Sequence, residues 1–133
     1  MNIQQLKSVI IPQLKGTFEL PQPTNPDSKL IHIVGVSSGI DSTATALTLK
    51  ALFPDTHFLY VFTPVGDWEV NGTEEALLRL AAYLETNIVS VSADLGMLAY
   101  IDKAGGFLPS QRQRYCTTTM KILPMQRFMN TLR

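Results

Sequence analysis

Hydrophobic residues along the chain fall into two spacings. Ile3, Leu6, Val9 and Ile10 recur at helical intervals and predict a short amphipathic helix over residues 2–15, with Pro12 interrupting its end. Residues 16–28 hold Gly16, Pro21, Pro23 and Pro26 among polar neighbours, which reads as an arm. Residues 30–36 (LIHIVGV) and 57–63 (HFLYVFT) are continuous apolar runs rich in β-formers, the look of buried parallel strands, and 87–92 (NIVSVS) is a third. Between them lie helical stretches at 41–53, stopped by Pro54, and from Thr73 to about Glu85. Thr73 reads as the N-cap of the second, with Glu74 and Glu75 in its first turn. A helix over 94–103, a loop over 105–114 and a last helix from Thr117 or Thr118 to about Leu132 complete the reading. Pro124 is a weakness in that last helix.

The order is β-α-β-α-β-α. It predicts an α/β fold, an open three-layer α/β/α sandwich with a mostly parallel sheet. Two segments follow: 1–28, a helix and proline-rich arm, and 29–133, the sheet domain. Ligands of such sheets sit beyond the carboxyl ends of the strands, here the loops 37–42 and 64–72 and the segment after the third strand.

Composition narrows the classes. The chain has 133 residues, 45% hydrophobic and 17% charged, which is globular and excludes a disordered or fibrous protein. A single cysteine, Cys116, excludes an intramolecular disulfide framework and any multi-cysteine metal site from one chain, and fits a reducing compartment. There is no signal-peptide layout and no apolar run long enough for a membrane span. The expectation is a soluble cytoplasmic protein. The 11 basic and 11 acidic residues cancel, so bulk charge gives no reason to expect nucleic-acid or membrane binding.

The zero net charge hides an asymmetry. Residues 1–102 carry five basic and eleven acidic side chains, whereas residues 103–133 carry six basic ones and no acid. That basic end either balances an acidic remainder or supplies an anion site. Arg112 and Arg114, two apart, would face one side of an extended segment and could grip one small anion together.

Ser37-Ser38-Gly39-Ile40-Asp41-Ser42-Thr43 follows the first strand and opens a helix. A turn of small residues at a helix N-terminus offers free backbone N–H groups, the positive end of the helix dipole and several hydroxyls. That chemistry cradles phosphate, although the loop lacks the lysine of a Walker loop and the spacing of a dinucleotide fingerprint. Asp41 either caps the helix or helps to place Mg²⁺.

The S-S-G-I-D-S stretch resembles the S-G-G-x-D-S pyrophosphate loop (PP-loop) of the adenine nucleotide alpha hydrolase superfamily. Phe53-Pro54-Asp55, Gly66-Asp67-Trp68-Glu69, Arg114-Tyr115-Cys116-Thr117 and Lys121-Ile122-Leu123-Pro124 behind it resemble the phosphoadenosine phosphosulfate (PAPS) reductase-like branch. The likeness covers about residues 30–130. It implies a Rossmann-like nucleotide-binding domain that takes ATP or a PAPS-type nucleotide, with Mg²⁺, and acts at the α-phosphate with release of pyrophosphate, as a transferase or pyrophosphatase. Ser37, Ser38, Gly39, Ser42 and Thr43 would hold phosphates. Arg112 would bind the anion, and Asp41, Arg114 and Lys121 would carry catalysis. Adenine would be read by backbone near Val34–Val36 and Tyr60–Phe62.

Three features depart from the family pattern. Ser38 stands where glycine is usual, and Thr63-Pro64 where many members carry an acid. Reductases of the group add a C-terminal segment with a catalytic cysteine, which these 133 residues do not include, so reduction by this chain alone is not expected. Cys116 is followed by Thr117 where iron–sulfur relatives carry a cysteine pair, so no cluster is expected. Several residues keep two readings. Cys116 is a buried thiol or a reactive thiolate, Trp68 a core or a stacking residue, and Glu69 a solvated acid or a metal or sugar ligand. His32 and His57 belong to strands, and Arg127 and Arg133 read as solvent-facing. The alternative to an enzyme is a nucleotide-binding module, a subunit completed by a partner, or a self-associating chain whose 16–28 arm reaches a neighbour.

Overall fold

In the computed structural model, residues 3–14 and 16–133 are described; Met1, Asn2 and Lys15 lie outside the described residues. The chain mixes helices with a small parallel sheet. Strand β1 is His32–Gly35, β2 is Phe58–Phe62 and β3 is Val89–Ser90. They lie in the order β1-β2-β3, with His32 opposite Phe58 and Val61 opposite Val89. The Val36 N–H donates to Val61 O and the Val91 N–H to Phe62 O, both at 2.8 Å, which carries the ladder one residue past each strand.

Helix α1 is Ile3–Leu14, α2 is Ile40–Leu52 and α3 is Thr73–Leu84. Two right-handed crossovers in a 1-2-3 sheet put both connecting helices on one face, and α2 and α3 touch. Side chains alternate along a strand, so Val34, Phe58 and Tyr60 point together and meet Ala46 of α2 and Leu80 and Leu84 of α3. Full burial of a side chain such as Leu84 contributes about 1.5–3 kcal/mol. Val61 is also buried but lies outside that cluster.

α1 packs against α2, with Pro12 inside it. Of its predicted apolar face only the Val9 side chain is described, and it is exposed; those of Ile3, Leu6 and Ile10 lie outside the described residues. Leu20, within the proline-rich arm, packs on the main core.

The C-terminal end is a run of short helices. Helix α4 is Met97–Lys103, α5 is Tyr115–Thr117 and α6 is Leu123–Thr131. A π-helical turn, Thr118–Ile122, joins the last two. The chain becomes helical at Tyr115, earlier than Thr117, and the wide turn precedes Pro124. Proline inside a continuous α-helix loses a backbone bond and clashes one turn back. The change of register restarts the helix with Pro124 in its first turn, where proline is tolerated. Met97, Ile101 and Met120 form a second, smaller core.

Two further elements differ from the sequence reading. α3 is capped by Gly72 rather than Thr73, because the chain enters the helix at a φ of +87°, which favours glycine. β3 is two residues long, since only Val89 and Ser90 pair in register with β2, and Val91 adds a single hydrogen bond beyond them.

Candidate functional site

The loop after β1 is held by its own serines. The Ser37 N–H donates to Ser42 Oγ at 2.9 Å, and Ser42 Oγ lies 2.9 Å from Ser37 O and 3.0 Å from Ser37 Oγ. One hydroxyl in the first turn of α2 thus ties down the second residue past β1. Gly39 caps α2 in extended conformation with no side-chain cap, and the first helical bond runs from the Thr43 N–H to Gly39 O at 3.2 Å. The N–H groups of Ile40, Asp41 and Ser42 therefore have no acceptor within the helix. A Cβ on Gly39 would approach Ser37 Oγ to 3.3 Å, so glycine lets the loop close over Ser37.

Ser38 leaves this network. Its Oγ lies 3.2 Å from Thr73 Oγ1, at the start of α3. Thr73 is buried, so the bond holds the N-termini of α2 and α3 beside each other at the carboxyl ends of β1 and β2. Two positive helix ends converge there, which favours an anion. Thr73 was legible as a helix start, but its link to the loop spans 35 residues and has no local signal.

Asp41 is exposed in the first turn of α2. It does not cap the helix, and its carboxylate accepts no hydrogen bond from any described residue. A carboxylate beside a phosphate cradle repels the anion unless a cation lies between them. The free carboxylate is the group on this loop that could hold a divalent cation, since Mg²⁺ uses one or two carboxylates. Among the described residues no group of three His, Cys, Asp or Glu side chains is placed to hold a metal ion.

The basic residues make no hydrogen bond to this loop among the described residues. Arg114 lines a separate open cavity of about 790 Å³ with Pro109, Ser110, Gln111, Cys116 and Thr117. Arg112 and Lys121 are exposed. No hydrogen bond among the described residues joins Arg112, Arg114 or Lys121 to Ser37, Ser38, Gly39, Ser42 or Thr43. The segment bearing Arg112 and Arg114 is not extended: the Ser110 N–H donates to Gln113 O and the Gln113 N–H to Ser110 Oγ, both at 3.1 Å, which folds it into a turn. The premise that placed both guanidinium groups on one side is thereby lost.

Cys116 is a free, half-buried thiol that packs on Met97, Ile101 and Met120 while lining the Arg114 cavity. Trp68 is about half exposed. Glu69 accepts the Val65 N–H at 2.6 Å and so braces its own loop. His32 lies in β1 with its ring 5.8 Å from that of Phe58, and His57 is exposed just before β2. Arg127 is exposed but not free, pairing through Nη1 with Asp94 Oδ2 at 2.6 Å. No described helix is long and apolar enough to cross a membrane.

A groove of about 700 Å³ runs beside α3. Thr73 lines it, so it begins where the loop after β1 is anchored. Sequence reasoning missed it. The signal was Leu77, Leu78 and Ala81 together, more apolar surface than Leu80 and Leu84 need to face the core.

Compared with models of protein families, with curated proteins and with solved structures, the chain finds no match.

Proposed function

We propose that this protein binds an adenine nucleotide through the 37–42 loop, as a PAPS reductase-like PP-loop domain of three-layer α/β/α type in the cytoplasm. The observation that carries the reading is the Ser38–Thr73 bond, which joins the N-termini of α2 and α3 at the carboxyl ends of adjacent parallel strands. The N–H groups of Ile40, Asp41 and Ser42 would receive the phosphate oxygens. Asp41 would share Mg²⁺ with them, and the ion would supply charge neutralisation. ATP held so would be open to attack at the α-phosphate, with pyrophosphate as the leaving group and the cradle donors stabilising its charge. Arg114, with Arg112 and Lys121, would act on the acceptor or transferred group.

Incubation of the purified chain with Mg²⁺ and α-labelled ATP tests this. AMP or an adenylated acceptor, released with pyrophosphate, is expected. ADP as the product, or no binding of ATP or PAPS by calorimetry, overturns it. An Arg114→Ala variant that turns over ATP like wild type removes Arg114 from the mechanism.

One observation favours a second reading. Arg114 lines a cavity of its own, which suits a module that binds a nucleotide without turnover, or one completed by a partner. That reading predicts binding with no AMP formed.

A further inference from the structure

The groove beside α3 and the outer face of α6 complement each other. Glu74, Leu77, Leu78 and Ala81 of α3 line the groove at helical spacing, and Glu85 caps the helix just beyond them, giving an apolar centre with an acid at each end. Leu78 is 66% exposed, and Val70 at the groove's mouth is 75% exposed. On α6 and its flanks, Ile122, Met125, Met129 and Leu132 fall at the same spacing, with Lys121 and Arg133 at the two ends. Ile122, Met129 and Leu132 are each more than a third exposed, while the other side of α6, Pro124 and Phe128, lines a cavity with β3. Because each helix carries one sign at both ends, either direction of docking pairs them.

The positions of the two surfaces make the contact reciprocal. β3 is an edge strand of the sheet. Ile88 lines the α3 groove, Val89, Val91 and Ser92 line the cavity beneath α6, and Ser90 borders both, so the two surfaces meet at that edge. A two-fold axis beside that edge would carry α6 of each copy onto the α3 groove of the other. Both contacts form at once and the assembly closes as a dimer rather than a filament.

We propose that the α3 groove is the docking site for α6 of a second copy of this chain, and that the charge asymmetry along the sequence serves that pairing. The inference does not depend on nucleotide binding.

Sedimentation equilibrium or light scattering on the full chain tests it. The expected mass is twice the 14.7 kDa of the chain. Leu78→Arg and Met129→Glu each change an exposed residue, and each should give a monomer with an unchanged far-UV spectrum. The double variant Glu74→Lys/Glu85→Lys should weaken the dimer by about tenfold or more at low salt and less at 0.5 M, where exposed charges are screened. Adding Lys121→Glu/Arg133→Glu to it should restore the wild-type dimer. Restoration is a readout that loss of folding cannot imitate. A monomeric wild type, with the groove instead taking an apolar dye, gives the groove to a small ligand and overturns the proposal. A dimer that survives Leu78→Arg and Met129→Glu puts the contact elsewhere, the 16–28 arm included, and overturns it too.

Discussion

The sheet with α2 and α3 buries a cluster of seven side chains, drawn from two strands and two helices, whereas α4 and the π turn bury three. The first cluster also gathers Leu20, Leu47, Leu49 and Phe53 around it; the second is bordered by Val65, Ala93, Tyr100 and Cys116. Long-range strand pairing holds the first region in register, and one buried methionine, Met120, ties the last helical run to α4. The candidate phosphate loop grows from the first region and the basic residues from the second. The loop is backed by the larger core and the basic residues by the smaller one, so the proposed binding and the proposed group transfer would draw on differently anchored parts.

The largest expected effect tests that inequality. Leu84 and Met120 are both about 1% exposed. Truncating a large core side chain costs about 2–5 kcal/mol, depending on how far the surroundings collapse into the space. Leu84→Ala belongs at the upper end, because the sheet beneath it cannot move without breaking its ladder. Met120→Ala belongs at the lower end, with short helices around it that can shift. Urea denaturation of both variants gives the two costs. Equal costs, or a larger one for Met120→Ala, would show that the regions are equally firm.

The next effect separates the sites. Ser42→Ala removes the acceptor of the Ser37 N–H and the partner of Ser37 Oγ. Each such bond is worth about 0.5–1.5 kcal/mol net, so a loss of about 1–2 kcal/mol is expected. The loosened loop should also bind nucleotide about tenfold more weakly, by the same scale of energy. Arg114→Ala should leave both stability and nucleotide affinity near wild type, because Arg114 lies in another cavity. Calorimetric titration of the two variants with ATP checks this. A large affinity loss in Arg114→Ala alone would invert the comparison.

The same division governs how much could be read from the sequence. β1, α2, β2 and α3 were legible because their apolar residues are continuous or periodic and their ends carry Pro54 and Gly72. β3 shrank because strand length depends on a partner, which no local pattern reports. α4 was expected from Asp94, yet begins at Met97 behind a Gly96 cap, with Asp94 turned to Arg127. The last helix was expected to be regular, and Pro124 forced the wide turn before it. In the candidate site, the loop was legible from residue types that suit a helix N-terminus. Ser38–Thr73 was not, being a tertiary contact. The joint grip of Arg112 and Arg114 was inferred from an extended segment that Ser110 folds into a turn.

A smaller effect belongs to the firm region and has the opposite sign. Tyr60 is 2% exposed, and its hydroxyl is buried with no hydrogen-bond partner among the described residues. Phe58, Val34 and Leu80 share its cluster. An unsatisfied buried polar group costs about 1–3 kcal/mol, and part of that is regained when an apolar group of the same shape replaces it. Tyr60→Phe should therefore stabilise the protein by up to about 1 kcal/mol at neutral pH. Burial also pushes the Tyr60 phenol above its ordinary value of 10.0. The folded state then holds its proton at a pH where the unfolded chain has released it. Stability from this group is complete below about 10 and is lost as pH rises past it. Thermal melts between pH 8 and 11 should show wild type falling more steeply than Tyr60→Phe. Parallel curves would mean that the hydroxyl reaches a partner.

The smallest effect belongs to the looser region. Arg127 and Asp94 meet at 2.6 Å and join α6 to the segment after β3, but their side chains are 63% and 68% exposed. Water already solvates both ions, and holding two side chains in one geometry costs entropy, so exposed pairs contribute little. The bond to Asp94 pushes the Arg127 guanidinium further above its already high value. Arginine therefore stays charged throughout the accessible range, and its titration adds no pH dependence there. Asp94→Asn keeps the shape and removes the charge. Its melting temperature should match wild type in 0.5 M salt and fall slightly at low salt, where screening is weak. A large drop at both salts would show that this pair, rather than Met120, anchors α6. Firmness in the C-terminal region would then come from its surface and not from its small core.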